Sequence, residues 1–318
     1  MDLTSIELCA GGGGQALGIE AAGFEHLALV DNDAPACNTL RLNRRKWKVY
    51  EQDLASFDGK PFAGVDLVAG GLPCPPFSIA GKQLGPDDER NLFPAGLRIV
   101  EEVRPKAVMF ENVRGMLDPA FEGYRRIIES TLSKLGYVAQ WKLLNASDFG
   151  VPQLRPRVIL VALRKEYSSN FSWPEKFAAP PTVGEALFDL MAARRWRGAK
   201  AWRERANKIA PTIVGGSKKH GGPDLGPTRA RRAWAELGVE GKTIAEQAPE
   251  RDFEGMPRLT VRMVARIQGF PDEWGFWGGK TAQYRQVGNA FPPPVAAAVS
   301  SRIAYAISEV RKGAVKAA

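Results

Sequence analysis

Cysteine and histidine are scarce in this 318-residue chain, which has three of the first, Cys9, Cys37 and Cys74, and two of the second, His26 and His220. An odd number of cysteines with no CxxC pair argues against a disulfide framework and against a structural zinc site, so a cysteine that matters acts as a thiol. With two histidines, no HExxH and no GxSxG, zinc-protease and serine-triad chemistry have few parts to work with, and no metal is expected. No apolar run approaches the ~18 residues of a membrane span. The opening MDLTSIELCAGG lacks the basic end, apolar middle and cleavage site of a signal peptide. A cytoplasmic protein with no membrane contact is expected.

What is present is a chain that is 44% apolar, enough for a sizeable core and one or two domains. The net charge of +9 has one location. From Arg194 to Arg232 there are twelve Lys or Arg against two acids, Glu204 and Asp224, and the rest of the chain balances to within one charge. This block, interleaved with Trp196, Trp202 and Trp234, has the pattern of a phosphate-binding surface, with a solvated basic helix as the alternative reading of the charge.

The first half alternates short apolar runs with longer periodic segments, the pattern of a parallel α/β sheet. Strands are expected at Ser5 to Cys9, His26 to Asp31, Val65 to Gly70 and Ala107 to Asn112. Val138 to Leu144 and Arg157 to Leu163 fit an antiparallel edge. Helices are expected at Gln15 to Ala22, Ala34 to Leu42, Leu92 to Val103 and Tyr124 to Leu135. From about Lys165 to Pro257 the chain is rich in Pro, Gly, Trp and Arg, with little periodicity, and reads as a second, smaller domain. Patterning resumes at Leu259 and closes with a proline-started helix, Pro292 to Val310, whose apolar face carries Val295, Val299, Ile303 and Ile307. Arg311 to Ala318 has little to bury and is expected to fray.

Several strand ends carry chemistry. The first runs into Ala10-Gly11-Gly12-Gly13-Gly14, and Asp31 closes the next strand about twenty residues on. Glycines let backbone approach a ligand closely, and an acid at the second strand end can bind ribose hydroxyls. That outlines a nucleoside-cofactor site, although the glycines are consecutive rather than spaced as GxGxxG and a tight turn would also account for them. Asp53, after Val49 to Gln52, falls at a third strand end, where an acid can hold an adenine amino group. The run Val65 to Gly70 delivers Gly71-Leu-Pro-Cys74-Pro-Pro-Phe-Ser78 to the carboxyl edge of the sheet, where open α/β sheets bind substrates. A thiol flanked by three prolines suits a nucleophile held at a set angle, while taken alone such a cysteine is more often structural. Glu111, ending an apolar strand, is costly there unless paired or functional. Arg155 and Arg157, two residues apart, can share a face to steady a carboxylate, bind phosphate or hold a base carbonyl.

Taken in order, these residues resemble the motifs of the DNA cytosine-5 methyltransferases that use S-adenosylmethionine. The matching stretches are Ile6-Glu-Leu-Cys-Ala-Gly-Gly-Gly-Gly14, Asp31, Asp53, the Pro-Cys-Pro-Pro-Phe-Ser loop with Gly81-Lys82-Gln83, Glu111-Asn112-Val113 and Gln153-x-Arg155-x-Arg157. Arg258-Leu-Thr-Val-Arg262, Gln268-Gly-Phe-Pro-Asp272 and Gln286-Val-Gly-Asn289 complete the series. The resemblance implies a Rossmann-like methyltransferase sheet in an α/β chain with a second, smaller, irregular target-recognition domain. The catalytic and cofactor-binding domain would span 1–164 and 258–318, and the recognition domain 165–257. Cys74 would add to C6 of a flipped cytosine, Glu111 would act at N3, and Arg155 and Arg157 would hold the base carbonyl and position the carboxylate. S-adenosyl-L-methionine would be bound by Cys9, Ala10, Gly11, Gly13, Gly14, Asp31, Asp53, Pro73 and Asn289, and leave as S-adenosyl-L-homocysteine. The sequence departs from the family at Cys9, often an aromatic there, at Pro75, commonly Gln, and at Met263, usually an acid.

Double-stranded DNA is the implied partner, contacted by Ser78, Lys82 and Gln83 and by Lys218, Lys219, His220, Arg229, Arg231 and Arg232 of the basic block. A monomer with a companion restriction endonuclease or defence-system proteins is expected. Three rival readings share part of this pattern. An exocyclic-amine methyltransferase is mimicked by Cys74-Pro-Pro-Phe77, but a thiol is a poor acceptor for an amine. A transfer-RNA cytosine-5 methyltransferase would share the catalytic residues, and a catalytically silent DNA-binding relative would have lost some of them.

Overall fold

The computed structural model describes residues 3–73, 91–177, 179–216 and 222–317. The chain order is β1 (Leu3–Leu8), α1 (Gly14–Ala21), β2 (Phe24–Asp31), α2 (Ala34–Asn43), β3 (Val49–Glu51), β4 (Leu67–Gly70), α3 (Phe93–Val103), β5 (Ala107–Val113), α4 (Glu122–Lys134), β6 (Tyr137–Asn145) and β7 (Pro156–Arg164). Then follow α5 (Lys165–Ser168), α6 (Val183–Ala192), α7 (Ala199–Arg205), α8 (Thr228–Glu236), α9 (Val261–Ile267), α10 (Lys280–Asn289) and α11 (Pro293–Ala317). Among the described residues the strands form one sheet in the order β3-β2-β1-β4-β5-β7-β6.

The first five strands are parallel, and β7 runs antiparallel to both its neighbours. The antiparallel pair expected at the edge is present, but β7 lies inside and only β6 is the edge. Burial explains the order. Six consecutive residues of β7, Val158 to Leu163, are buried, as a strand covered on both faces requires, whereas Tyr137 and Leu144 alone are buried in β6. Reversal of β7 has a functional consequence. Its first residues meet the last residues of β5, with Arg157 opposite Val113, at the edge where the parallel strands end.

One sheet face is covered by α3 and α4, through Ile99, Val100, Val103, Ile128 and Leu132. The other is covered by α11, whose Val295, Val299, Ile303 and Ile307 are all buried as expected. This helix begins within a residue of the expected start but runs on to Ala317. The anticipated fraying does not begin at Arg311, because its guanidinium donates to Asp66 Oδ1 at 2.7 Å, beside Lys106, and ties the helix to the sheet. α1 and α11 touch at Gly18, where a Cβ would fall 2.5 Å from both Ala296 Cβ and Ala297 N.

The segment after β7 contributes no strand to the sheet. Trp196, Trp202 and Trp234, expected on a phosphate-binding surface, are instead 8%, 4% and 0% exposed. They anchor an apolar cluster continuous with α9, with Tyr284 and Val287 of α10, and with Leu17 and Leu40. The basic side chains are thus carried on a scaffold rooted in the rest of the molecule.

The Gly18 contact leaves no room for one added carbon. Gly18→Ala is expected to lower unfolding free energy by about 1–3 kcal/mol in urea titrations. Gly123→Ala, at an exposed helical site with no neighbour within 4 Å, should stay within about 0.5 kcal/mol of wild type.

Candidate active site

A cavity of about 620 Å³ opens at the carboxyl ends of β1, β2, β4 and β5. Its first wall is the turn after β1. Cys9 and Gly11 adopt left-handed backbone, φ 54° and 53°, which costs little at the glycine and is strained at the cysteine. The turn is held by Asp31, whose Oδ2 accepts from Gly11 N at 2.7 Å while Oδ1 accepts from Asp33 N at 2.8 Å. Burial, with Asp31 and Asp53 nearby, pushes the Cys9 thiol far up, so it stays protonated and is no nucleophile. The opposite wall is the α10–α11 junction, where Arg285, Gln286 and Asn289 line the cavity and Arg285 pairs with Asp33 at 3.3 Å.

The third wall is polar and built by the sheet. Glu111, near the end of β5, is 9% exposed and pairs with Arg157 of β7, Oε1 to Nε at 2.6 Å. The register sets Ile159 opposite Glu111 and Arg157 opposite Val113, so the pair are diagonal neighbours on one face. Burial raises the Glu111 pKa, against the lowering effect of Arg157 and then Arg155. This gives a carboxyl group that holds a proton more readily than an exposed one. Asn112 Nδ2 donates to Leu72 O at 2.9 Å and joins the ends of β4 and β5. A Cβ on Gly71 would lie 3.3 Å from Glu111 Oε2, so the backbone leading to Cys74 passes directly beside the carboxyl.

Of the expected site residues, Glu111, Arg157, Cys9, Ala10, Gly11, Gly14, Asp31, Pro73 and Asn289 come together around this cavity. Three do not line it. Gly13 faces Trp274 and Leu40. Asp53 is exposed, and its Oδ1 accepts from Ala55 N at 2.8 Å. Arg155 is fully buried and donates to Ile213 O, Gly288 O and Ala290 O at 2.6, 2.7 and 3.0 Å, so its charge serves backbone carbonyls. Cys74, Ser78, Lys82, Gln83, Lys218, Lys219 and His220 lie outside the described residues. On α8, Arg229 and Arg232 are exposed, whereas Arg231 is half-buried over Gly241.

Glu7 was not singled out by the sequence reading. It sits on β1 at the cavity, 1% exposed, with neither carboxylate oxygen hydrogen-bonded. Burial, and then Asp31, raise its pKa well above the ordinary value. An acid inside the otherwise apolar run Ile6-Glu7-Leu8 was the available signal, since such a residue is costly without a partner. Gly216, which reaches the cavity from the segment after α7, carried no comparable signal.

The profile described as C-5 cytosine-specific DNA methylase matches residues 3–305. A relative named Type II methyltransferase M.NgoMIV, from Neisseria gonorrhoeae, is 56% identical over 97% of this chain and 99% of its own. Type II methyltransferase M.NaeI, from Lentzea aerocolonigenes, is 55% identical over 98% of this chain and 77% of its own. Among solved structures, the S. pombe Dnmt2 methyltransferase superposes with a TM-score of 0.62 at 18% identity, over 98% of this chain and 99% of its own. The Entamoeba histolytica methyltransferase EhMeth does so with 0.66 at 15%, again over 98% and 99%. These two likenesses show the fold, a Rossmann-like methyltransferase sheet. The profile match and the near full-length identities show more: this chain belongs to the C-5 cytosine-specific DNA methylase family.

Proposed function

We propose that the protein methylates C5 of a flipped cytosine in a specific duplex DNA site, with S-adenosyl-L-methionine as donor and a transient Cys74–C6 bond. The observation that carries this reading is the Glu111–Arg157 pair, held at 2.6 Å on the cavity wall beside the Gly71–Pro73 segment that leads to Cys74. A cytosine ring is activated at C5 only if its C6 is attacked while its N3 and carbonyl are held. A thiol, a carboxyl with a raised pKa and a guanidinium are the groups for those tasks.

The residues also fit the donor. The unpartnered carboxylate of Glu7 faces a cavity large enough for a nucleoside, and a cationic ligand would supply the charge it lacks. Asp31 and the glycine turn suit the ribose and backbone-hugging parts. Asn289, at the far wall, suits closure over the bound molecule. When bound, this group supplies an electrophilic methyl on a positively charged sulfur.

The Cys74 thiolate adds to C6 as Glu111 delivers its proton to N3, which leaves C5 enamine-like. Arg157 steadies the ring carbonyl and then the Glu111 carboxylate. The bound donor would supply the methyl group to C5; a base then removes the C5 proton, N3 returns its proton to Glu111, and the Cys74–C6 bond breaks to return the thiolate. Because a stacked base hides C5 and C6, the cytosine must leave the duplex. The catalytic domain is assigned to 1–164 and 258–318 and target recognition to 165–257. Arg229 and Arg232 of α8, with Ser78, Lys82, Gln83, Lys218, Lys219, His220 and Arg231, are assigned to DNA. Action as a monomer in the cytoplasm, beside a companion restriction endonuclease or defence-system proteins, belongs to the same reading; the Type II methyltransferase names of the two relatives support its restriction-modification setting alone.

Bisulfite sequencing of plasmid from cells expressing the protein should show protected cytosines in one recurring site, absent with Cys74→Ser. Expression of M.NgoMIV alongside should protect the same site. Protection of none, by folded protein that binds cofactor, would remove the DNA reading.

Glu111→Gln keeps the side-chain shape without the acid and should lower turnover of radiolabelled methyl transfer by about 10²-fold. Arg157→Gln leaves Arg155 alone to oppose the burial of Glu111, so its pKa moves further up. The loss of rate on raising pH, which follows loss of the Glu111 proton, should then occur at higher pH than in wild type.

Glu7→Gln should weaken cofactor binding by about tenfold or more, as for loss of a charged hydrogen bond. Its effect on the ligand-free fold has the opposite sign. The folded-state pKa of Glu7 lies above its unfolded value, so its contribution to stability is full below the ordinary carboxylate range and falls as pH rises through the raised value. Thermal melts without cofactor should therefore show the variant gaining on wild type across that window.

A further inference from the structure

The donor named above is an amino acid joined through sulfur to a nucleoside, so its cavity must take an α-carboxylate as well as a positive sulfur. The lining is unfavourable to an anion over most of its extent. Among the described residues four acids line it, Glu7, Asp31, Asp33 and Glu111, against two cations, Arg157 and Arg285. A carboxylate that leaves water for such a wall is held only where strong N–H donors replace its hydration.

Arg157 is committed elsewhere, since its Nε lies 2.6 Å from Glu111 Oε1 and both side chains are nearly buried. Arg285 stands differently. It lies on α10 one turn before Asn289, and the four-residue spacing puts both side chains on one helix face, toward the cavity. Among the described residues its guanidinium has one partner, Asp33, through Nη2 to Oδ2 at 3.3 Å. That is longer than the roughly 2.7–2.9 Å of a close charge-assisted bond, and the other N–H groups of the fork have no partner there. The two side chains are 18% and 16% exposed, so an anion bound beside them is only weakly screened by solvent. Both flanks of the pair are fixed. Asp33 N donates to Asp31 Oδ1 at 2.8 Å, which ties it to the acid assigned to ribose. Gln286, next to Arg285, accepts from Thr39 Oγ1 of α2 at 2.6 Å and donates to Trp277 O at 2.9 Å, which holds α10 against α2.

We propose that Arg285 binds the α-carboxylate of the donor and so selects a nucleoside that carries an amino acid over one that lacks the carboxyl group. The proposal rests on the donor reading given above. Asp33 holds one nitrogen of the guanidinium and orients the fork, and the ligand carboxylate accepts from the nitrogens that Asp33 leaves. A DNA phosphate is an oxyanion of the same donor requirement, and the two sources respond differently to removal of a single carboxyl group from the nucleoside.

The test is calorimetric titration of the full chain with two ligands that allow no turnover, S-adenosyl-L-homocysteine and its decarboxylated form, which keeps the amine. Wild type should bind the first more tightly by about tenfold or more, as for a hydrogen bond to a charged group. Arg285→Gln should bring that preference to within about twofold of none, by weakening the first ligand and leaving the second. Arg285→Lys, which keeps the charge without the fork, should retain part of the preference. Loss of Arg285 also leaves the Asp33 carboxylate facing the ligand, so the double variant Asp33→Asn/Arg285→Gln is titrated too and should again show no preference. Equal affinity for the two ligands in wild type, a preference kept by Arg285→Gln, or one restored in the double variant would overturn the proposal alone. So would loss of duplex binding by Arg285→Gln with the nucleoside preference intact, which would give the cation to phosphate. Failure of folded wild type to bind either nucleoside would overturn the donor reading and the proposal with it.

Discussion

A carboxyl group at the dry edge of a sheet needs a counter-charge, and in this fold the need is met by reversing one strand. Were β7 parallel to β5, its beginning would lie at the opposite end of the sheet from Glu111, and Arg157 would be out of reach. Antiparallel insertion between β5 and β6 brings the first residues of β7 to the carboxyl edge and sets Arg157 diagonal to Glu111. Much follows from that placement. The long buried run of β7 excludes β6 to the edge, and the residues just before β7, Gln153 and Arg155, become available to hold Ile213 and the α10–α11 junction.

The same sheet face explains why Glu7 and Glu111 serve one cavity. Residues paired across strands project to the same side, and Glu7 pairs with Ala69, which pairs with Met109, two residues before Glu111. Glu7, Glu111 and Arg157 therefore emerge on one face, at the end where α11 gives way to the turn carrying Asn289. Away from the cavity that face is mainly apolar, with Ser5 and His26 bonded to each other on it at 3.0 Å. The two acids differ in what balances them. Glu111 has a guanidinium at 2.6 Å, whereas Glu7 has no cationic partner among the described residues, and burial favours its neutral form.

How much of this was legible depended on the range of the interaction. Strand and helix positions followed from local periodicity, and the residues at the ends of β1, β2 and β5 announced themselves as glycines or acids closing apolar runs. Arg155 and Arg157 could not be told apart, since both fit the same two-residue spacing, and only the tertiary carbonyls of Ile213, Gly288 and Ala290 divert Arg155 from the cavity. Asp53 was read correctly as lying just past a strand, but it spends a carboxylate oxygen on Ala55 N. The tryptophans misled because their interleaving with arginines says nothing about which way a helix faces, and Trp234 is fully buried two residues after the exposed Arg232.

Gly215 and Gly288 show the limit of local reading most clearly. Gly215 looks like an ordinary loop glycine and Gly288 lies in the last turn of α10, and nothing near either one in sequence requires it. Their requirement arises from one another, across more than seventy residues, because two backbones in contact tolerate no Cβ. The glycine in Gln286-Val-Gly-Asn289 thereby has a physical cause in the backbone it meets. Asn289 meets the cavity, while Gly288 beside it meets Gly215, so the segment after β7 and the cavity wall come together at adjacent residues. A chain that inserts a long segment between β7 and α9 must bring it back to the sheet, and the glycine contact beside the Arg155 hydrogen bonds is where that return is made.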